Sequence, residues 1–288
     1  MTDPVTALSA VASAAKAIDP DSKSVDLGVS LWGKVLGPPA EALGRHFERR
    51  VERWSESNQA KHVLKLAAAK SDTSRPGSVP PRVAAAVLDA AEYSDNEFVA
   101  EYLSGVLASA RTTDGTDDRG VSWSALVDRL SSDALKLHYV IFSTMRHLME
   151  GADADVISTW CKKHIVIRYL DLLPMMGLGI NYEAIRRVLD AAYTLQREGM
   201  IDALTHGSED HLTGLPWGLY QLPAGGDVLI VSTTVPGIQL YLQGHGYGGA
   251  WASAIADTDR TFDAAGKVDP ALSKVAGHWL EELPRKAG

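Results

Sequence analysis

The 288-residue chain holds a single cysteine, Cys161, so it has neither an internal disulfide nor a multi-thiolate metal site, and a reducing, cytoplasmic setting is expected. No apolar run approaches the roughly 18 residues that a membrane-crossing helix needs. The start, Met1-Thr2-Asp3-Pro4, lacks a basic stretch, and Lys16, Asp19 and Asp21 interrupt the alanine-rich run after it, so no cleaved secretory signal is expected. An excess of base is also missing. Lysine and arginine number 28 against 36 acids, a formal charge of −8, so polyanion binding is not a property of the whole molecule. Phosphate-binding and hydrolase signatures are absent as well. Gly244, Gly246, Gly248 and Gly249 do not make G-x-G-x-x-G, and no G-x-S-x-G or Walker lysine motif occurs. No cofactor is implied.

What is present is a globular composition, 45% hydrophobic and 22% charged, over a length that suits two modules with cores of their own. Leu27 to Leu36 carries Leu31, Trp32, Val35 and Leu36 at helical spacing, with Gly33 and Gly37 in G-x-x-x-G, before Pro38-Pro39. It reads as a short buried helix packing through its glycines, the alternative being peripheral membrane contact. From Pro39 the apolar stripe Leu43, Phe47, Val51 and Trp54 predicts one long helix. The bases Arg45, Arg49, Arg50, Arg53, Lys61, Lys65 and Lys70, seven against three acids, make that stretch a candidate interaction surface. Val83 to Asp133 reverses the balance, ten acids against three bases. These opposite charges imply either neutralisation inside one helical bundle or a self-association surface, with a polyanion patch as the further alternative.

Ser71 to Pro81 is a proline-rich loop that separates helices. Beyond it, apolar periodicity predicts a helix from Val83, one over Glu97 to Ala110 capped by Asp95, a short one begun by Ser122 or Ser124, and another capped at Ser131-Ser132-Asp133. The succession "LGPPAEALG" (36–44), "VPPRVAAAVLDAAEYSDNEFVAEYLSGVLASA" (79–110) and "VSWSALVDRLSSDALKL" (121–137) resembles the bacterial Abi-alpha (abortive infection alpha) family, over roughly residues 30–245. The resemblance implies a helical body and a part in phage defence. It brings no catalytic residues, because its motifs are packing, capping and loop residues.

The second module begins near Ala152. Ile157, Trp160, Cys161, His164, Ile165 and Tyr169 predict an amphipathic helix, Pro174 to Gly179 a break, and Tyr182 to Gly199 a second helix. Gly218–Leu222 and Val228–Val231, joined by Pro223 to Asp227, predict a β-hairpin, and Pro236 starts a further helix. Helix, helix, hairpin, helix is the order of a winged helix. Arg186, Arg187 and Arg197 are then the candidate nucleic-acid contacts, yet acids match them in number and the hairpin tip has no base. Cys161-x-x-His164 has two metal-ligand types but no second pair at finger spacing, and as a nucleophile pair its members lie three residues apart on one expected helix, a spacing that coincidence also produces. His206, Glu209, Asp210 and His211 form the densest group of metal-ligand types, in a polar loop. Asp269-Pro270 predicts a last helix that docks through Trp279, with Trp251 also buried.

The expected architecture is mainly α: a helical body over 1–150, a winged-helix-like module with one β-hairpin over 151–250, and a docking tail over 251–288. The expected function is that of a non-enzymatic interaction or sensor protein with a protein partner or a second copy. The alternatives are a winged-helix nucleic-acid-binding regulator and a metal-dependent hydrolase at His206 to His211.

Overall fold

The computed structural model describes residues 33, 35–37, 48–72, 76–150, 157–212, 215–224, 226–262 and 277–286. They are mainly helical, with one four-stranded antiparallel sheet. The described residues divide into two compact units, 33–129 with 243–249 and 130–242 with 250–262 and 277–286. The division falls after Arg129, so the helix that follows Ser131 folds with the second unit and not with the residues before it.

Local chemistry sets the helix starts of the first unit. The expected long helix is two, α1 (Glu48–Glu56) and α2 (Asn58–Lys70), because Ser57 leaves helical geometry and its hydroxyl accepts from Ala60 N at 3.2 Å. Residues 38–47, where that helix was expected to begin, lie outside the described residues. Helix α3 (Pro81–Glu92) opens on a proline, where the missing N–H costs nothing. Helix α4 (Glu97–Ser109) is capped by Asn96 rather than Asp95, through a 2.9 Å bond from Phe98 N to its side-chain oxygen. Helix α5 (Gly120–Arg129) starts earlier than Ser122, at a glycine against which the Val83 side chain packs. Val35 and Leu36 are buried, and the Leu36 carbonyl accepts from Val79 N at 3.2 Å, so these two residues of the Leu27 to Leu36 stretch serve as core. The rest of that stretch, apart from Gly33, is outside the described residues. No helix among the described residues is long and apolar enough to cross a membrane.

The second unit starts with α6 (Ser132–Leu148), capped by the Ser131 hydroxyl, and a short α7 (Ile157–Trp160). The amphipathic helix expected to run through Tyr169 stops there. His164–Arg168 is strand β1, in which Ile165, Val166 and Ile167 are consecutive, β-branched and buried. Such a run suits a strand covered on both faces better than a helix, in which one of the three would face water. Helices α8 (Tyr169–Met175) and α9 (Tyr182–Arg197), strand β2 (Ile201–Gly207), a four-residue α10 (Glu209–Leu212), strand β3 (Val228–Thr233) and α11 (Val235–Gly244) follow. Gly199, at φ +72, ends α9 as the sequence predicts.

The sheet order is β2-β3-β1-β4, all antiparallel, with β4 being Gly277–Trp279. The expected hairpin is therefore corrected. Val228–Val231 is strand, but its neighbours are β1 and β2, while Pro216–Leu219 is a 3₁₀ turn and Tyr220 bridges to Arg285. Of the expected C-terminal helix, residues 269–276 are outside the described residues, and Gly277–Trp279 is strand. Trp279 docks as expected, buried, with its indole N–H donating to the Leu148 carbonyl at 3.2 Å; Trp251 is 86% exposed, contrary to expectation.

Two helices of this unit meet at a glycine. A Cβ at Gly237 in α11 would overlap the Met200 carbonyl oxygen and the Phe142 ring, and the Gly237 carbonyl accepts from buried His138 Nε2 at 3.0 Å. Gly237→Ala is expected to lower unfolding stability by about 1–3 kcal/mol. Gly249→Ala, where a Cβ meets nothing within 4 Å, is expected to stay within about 0.5 kcal/mol of the parent in the same urea titration.

Candidate functional site

The basic helices turn much of their charge toward the acidic segment of the same unit. Arg50 lies 3.4 Å from Asp89, Arg53 3.7 Å from Glu92, and His62 2.9 Å from Glu97. Trp54, fully buried, donates its indole N–H to Asp89 at 3.1 Å. Lys61 is half-exposed and Lys65 exposed. Arg45 and the side chain of Arg49 fall outside the described residues. Neutralisation inside one bundle, one of the two readings of this charge pattern, is thus what these pairs provide.

Lys70 is not on the surface at all. Its ammonium donates to the Glu101 carboxylate, to the Glu101 carbonyl at 2.7 Å, to Ser104 Oγ at 3.0 Å and to the Gly244 carbonyl at 2.9 Å. Burial pushes its pKa down, and the Glu101 charge and hydrogen bond oppose that shift. The ammonium's three protons are all taken up by this oxygen cage.

Helix α9 carries the second set of candidates. The Asn181 side chain caps it by accepting from Ala184 N at 2.9 Å, and Ala184, Val188, Ala191, Ala192 and Leu195 form its buried face, packed on α6 and β2. Arg186 donates to Glu183 at 2.8 and 3.1 Å, and that hydrogen bond holds the Glu183 carboxyl below its ordinary range. Arg187 makes a bidentate pair with Asp133 at 2.9 and 3.0 Å, and Arg197 lies 3.7 Å from Glu198. Each of the three arginines has an acid beside it. The outward surface also includes side chains that composition does not reveal as exposed: Tyr182 at 83%, Tyr193 at 52% and Ile180 at 63%. The signal that could have found them is their phase. Both tyrosines fall opposite the Ala-Val-Ala-Leu stripe of the same helix.

Among the described residues, the remaining candidates lie on β1, β2, α10 and the turn at Cys161. His206 sits in β2, where burial, and secondarily His211, lowers its pKa while Asp227 opposes. Glu209 pairs with Lys286 at 2.7 Å, and Asp210 and His211 lie beside it in α10. Among the described residues no three His, Cys, Asp or Glu side chains converge where a metal ion could sit. The Cys161 thiol is half-buried and its pKa raised by that burial, the opposite of what a thiolate nucleophile needs. His164 directs Nδ1 to Glu281 at 2.7 Å and packs its ring against Trp217. Tyr169, whose hydroxyl is buried without a hydrogen-bond partner, has its pKa raised by burial first and by nearby Asp227 second.

No protein-family model, no curated protein and no solved structure matches the chain.

The Lys70–Glu101 pair generates a test. Lys70→Met leaves a buried carboxylate without its counter-charge and is expected to cost about 3–5 kcal/mol in urea unfolding. Lys70→Met combined with Glu101→Leu is expected to recover most of that loss, because neither charge then remains to be solvated.

Proposed function

We propose that the chain is a non-enzymatic, cytoplasmic interaction protein, of the kind its Abi-alpha resemblance implies for phage defence, and that its second unit engages a protein through the outward face of α9. The observation that carries this reading is the chemistry of that face. It offers two exposed tyrosines together with arginines that each lie beside a carboxylate. Exposed aromatic side chains and arginine are the residue types enriched at protein interfaces.

A winged-helix reading of the second unit is supported by the order α6, α7, β1, α8, α9, β2, α10, 3₁₀ turn, β3, with the short α7, α10 and 3₁₀ turn as additions, and by the adjacency of β2, β3 and β1 in the sheet. In that reading α9 is the second, groove-reading helix, and the 208–227 connection is the wing. A nucleic-acid reader needs net positive charge on both. Here the bases of α9 stand beside acids, and 208–227 contains no lysine or arginine. The same scaffold therefore serves better as a protein contact, since a fold does not fix what binds to it. The raised pKa of the half-buried Cys161 thiol, the engagement of His164 Nδ1 by Glu281, and ligand-type side chains that do not converge among the described residues favour a non-enzymatic role over hydrolysis.

Fluorescence anisotropy with duplex and single-stranded DNA and RNA at low and high salt is expected to show no salt-labile complex. A tight complex lost at high salt and weakened by Arg186→Gln would move the conclusion to the nucleic-acid regulator. In a phage-challenged host expressing the chain, Tyr182→Ala with Tyr193→Ala is expected to abolish protection while circular dichroism keeps its helical signal. Lys61→Gln with Lys65→Gln is expected to retain protection; the reverse pattern would overturn the placement of the contact on α9.

A further inference from the structure

We infer that α9 is a self-complementary pairing helix, and that the partner it fits is a second copy of this chain. The inference rests on the protein-contact reading above and adds the identity of the partner. At 3.6 residues per turn, Tyr182, Tyr193, Arg186 and Arg197 fall within an arc of about 60°, opposite the buried face. Tyr182 and Tyr193 are exposed, as are the side chains of Arg186 and Arg197. The order along this stripe is Tyr, Arg, Tyr, Arg, and it is symmetric in a particular sense. When a second α9 lies antiparallel, with the two-fold axis between residues 189 and 190, Tyr182 faces Arg197 of the second copy. Arg186 in turn faces its Tyr193. Every aromatic on the stripe then meets a guanidinium, and each such contact occurs twice.

The intrachain ion pairs favour this arrangement. Arg186 bonds Glu183 through the edge of its guanidinium, at 2.8 and 3.1 Å, which leaves the flat faces of the group open to a ring. Glu183 falls one residue from register with Arg197 of the second copy, so the same carboxylate supports both arginines. Asp190 lies nearest the axis, opposite Leu189, and its approach to Asp190 of the second copy is the one repulsive feature. The Arg186 of its own chain, one turn away and already sensing its charge, offsets it. A pair of 16-residue helices is short for an interface, about 24 Å long, so the association is a reversible, concentration-dependent equilibrium and not an obligate dimer.

Sedimentation equilibrium of the full chain over a concentration series tests this directly. The parent chain is expected to show a monomer–dimer equilibrium. Arg186→Glu and Tyr193→Arg are each expected to weaken it about tenfold or more, because each alters two contacts at once. Asp190→Asn is expected to tighten it. The decisive sample is an equimolar mixture of the two weakened variants, since in a mixed pair the introduced carboxylate meets the introduced guanidinium while the other contact stays native. Recovery of dimer in the mixture cannot come from a folding defect in either variant. A parent chain that stays monomeric throughout overturns the self-pairing inference, as do single variants that associate normally or a mixture that does not recover. None of these results touches the protein-contact reading, which fails separately if the chain binds nucleic acid in a salt-labile way.

Discussion

The second unit depends on one strand that has no exposed side. All six residues of β3 are buried, and both its edges are paired, to β1 through 228–232 and to β2 through 228–233. Its apolar residues, Val228 to Val231, each contribute roughly 1.5–3 kcal/mol of burial, and that sum holds the neighbouring elements in register. The two polar residues at its end are buried as well, so each must find a partner. Ser232 Oγ accepts from Ala203 N at 2.9 Å, where β2 bulges between Ile201 and Leu204 and the regular pairing is interrupted. Thr233 Oγ1 donates to Met145 Sδ at 3.3 Å. Placing β2 in turn fixes α9, because only the Gly199 turn separates them. With its alanine-rich face held on α6, the helix has no freedom over which face it shows to water.

The first unit solves a different problem, that of a charged side chain inside a helical bundle. Lys70 gives up its hydration for one carboxylate, two carbonyls and a hydroxyl. A buried pair of this type contributes little net stability compared with an apolar replacement, but it punishes any arrangement that leaves one member alone. It therefore acts on specificity more than on stability. The helices α2 and α4 must meet in the register that brings Lys70 to Glu101. Gly105, where a Cβ would collide with the Gly244 carbonyl, removes the side chain that would otherwise hold the Gln243–Gly249 segment away from α4. Of the glycines in "GHGYGG", read as a helix stop, Gly244 and Gly246 also permit close packing, because a Cβ would meet the Tyr102 ring at the first and Lys70 at the second.

What was legible in the sequence was mostly local. Ser131 caps α6 because its oxygen has to reach an amide only three residues away, and Gly199 ends α9 for an equally local reason; Ser57 instead breaks what reads as one long helix, Asn96 takes the capping role expected of Asp95, and Asn181 caps α9 without having been singled out. The strands were harder. His164–Arg168 follows apolar residues at helical spacing, and only the long-range pairing of Ile165 to both Val231 and Trp279 resolves it as a strand. Strand β2, Ile-Asp-Ala-Leu-Thr-His-Gly, has a polar edge-strand composition and a bulge that breaks its alternation. Without those two strands, the only visible partner for Val228–Val231 was the nearest apolar run, and a hairpin was the natural but incorrect inference. At the candidate site, the positions of Arg186, Arg187 and Arg197 were readable and their surroundings were not, because Asp133 is remote in sequence from Arg187.

That last point separates charge count from charge placement. A stretch with seven bases against three acids suggests a basic surface, and in a bundle it means something else. Helices that fold against each other can set bases of one beside acids of the other, as Arg50 with Asp89 and Arg53 with Glu92 show. Pairs of this exposed kind contribute little to stability individually, about 0–1 kcal/mol, and are screened by salt. Their larger effect is to remove those cations from the field that a polyanion would sense. At Arg186 and Arg197 of α9 the same neutralisation occurs within a turn of helix, yet its consequence differs, because neutralising an arginine does not hide its planar face. A guanidinium held at its edge by a carboxylate, as Arg186 is by Glu183, has two of its five in-plane donors occupied and its stacking surface exposed. A planar face left open in this way is suited to stacking on an aromatic ring, which is the chemistry the protein-contact proposal draws on.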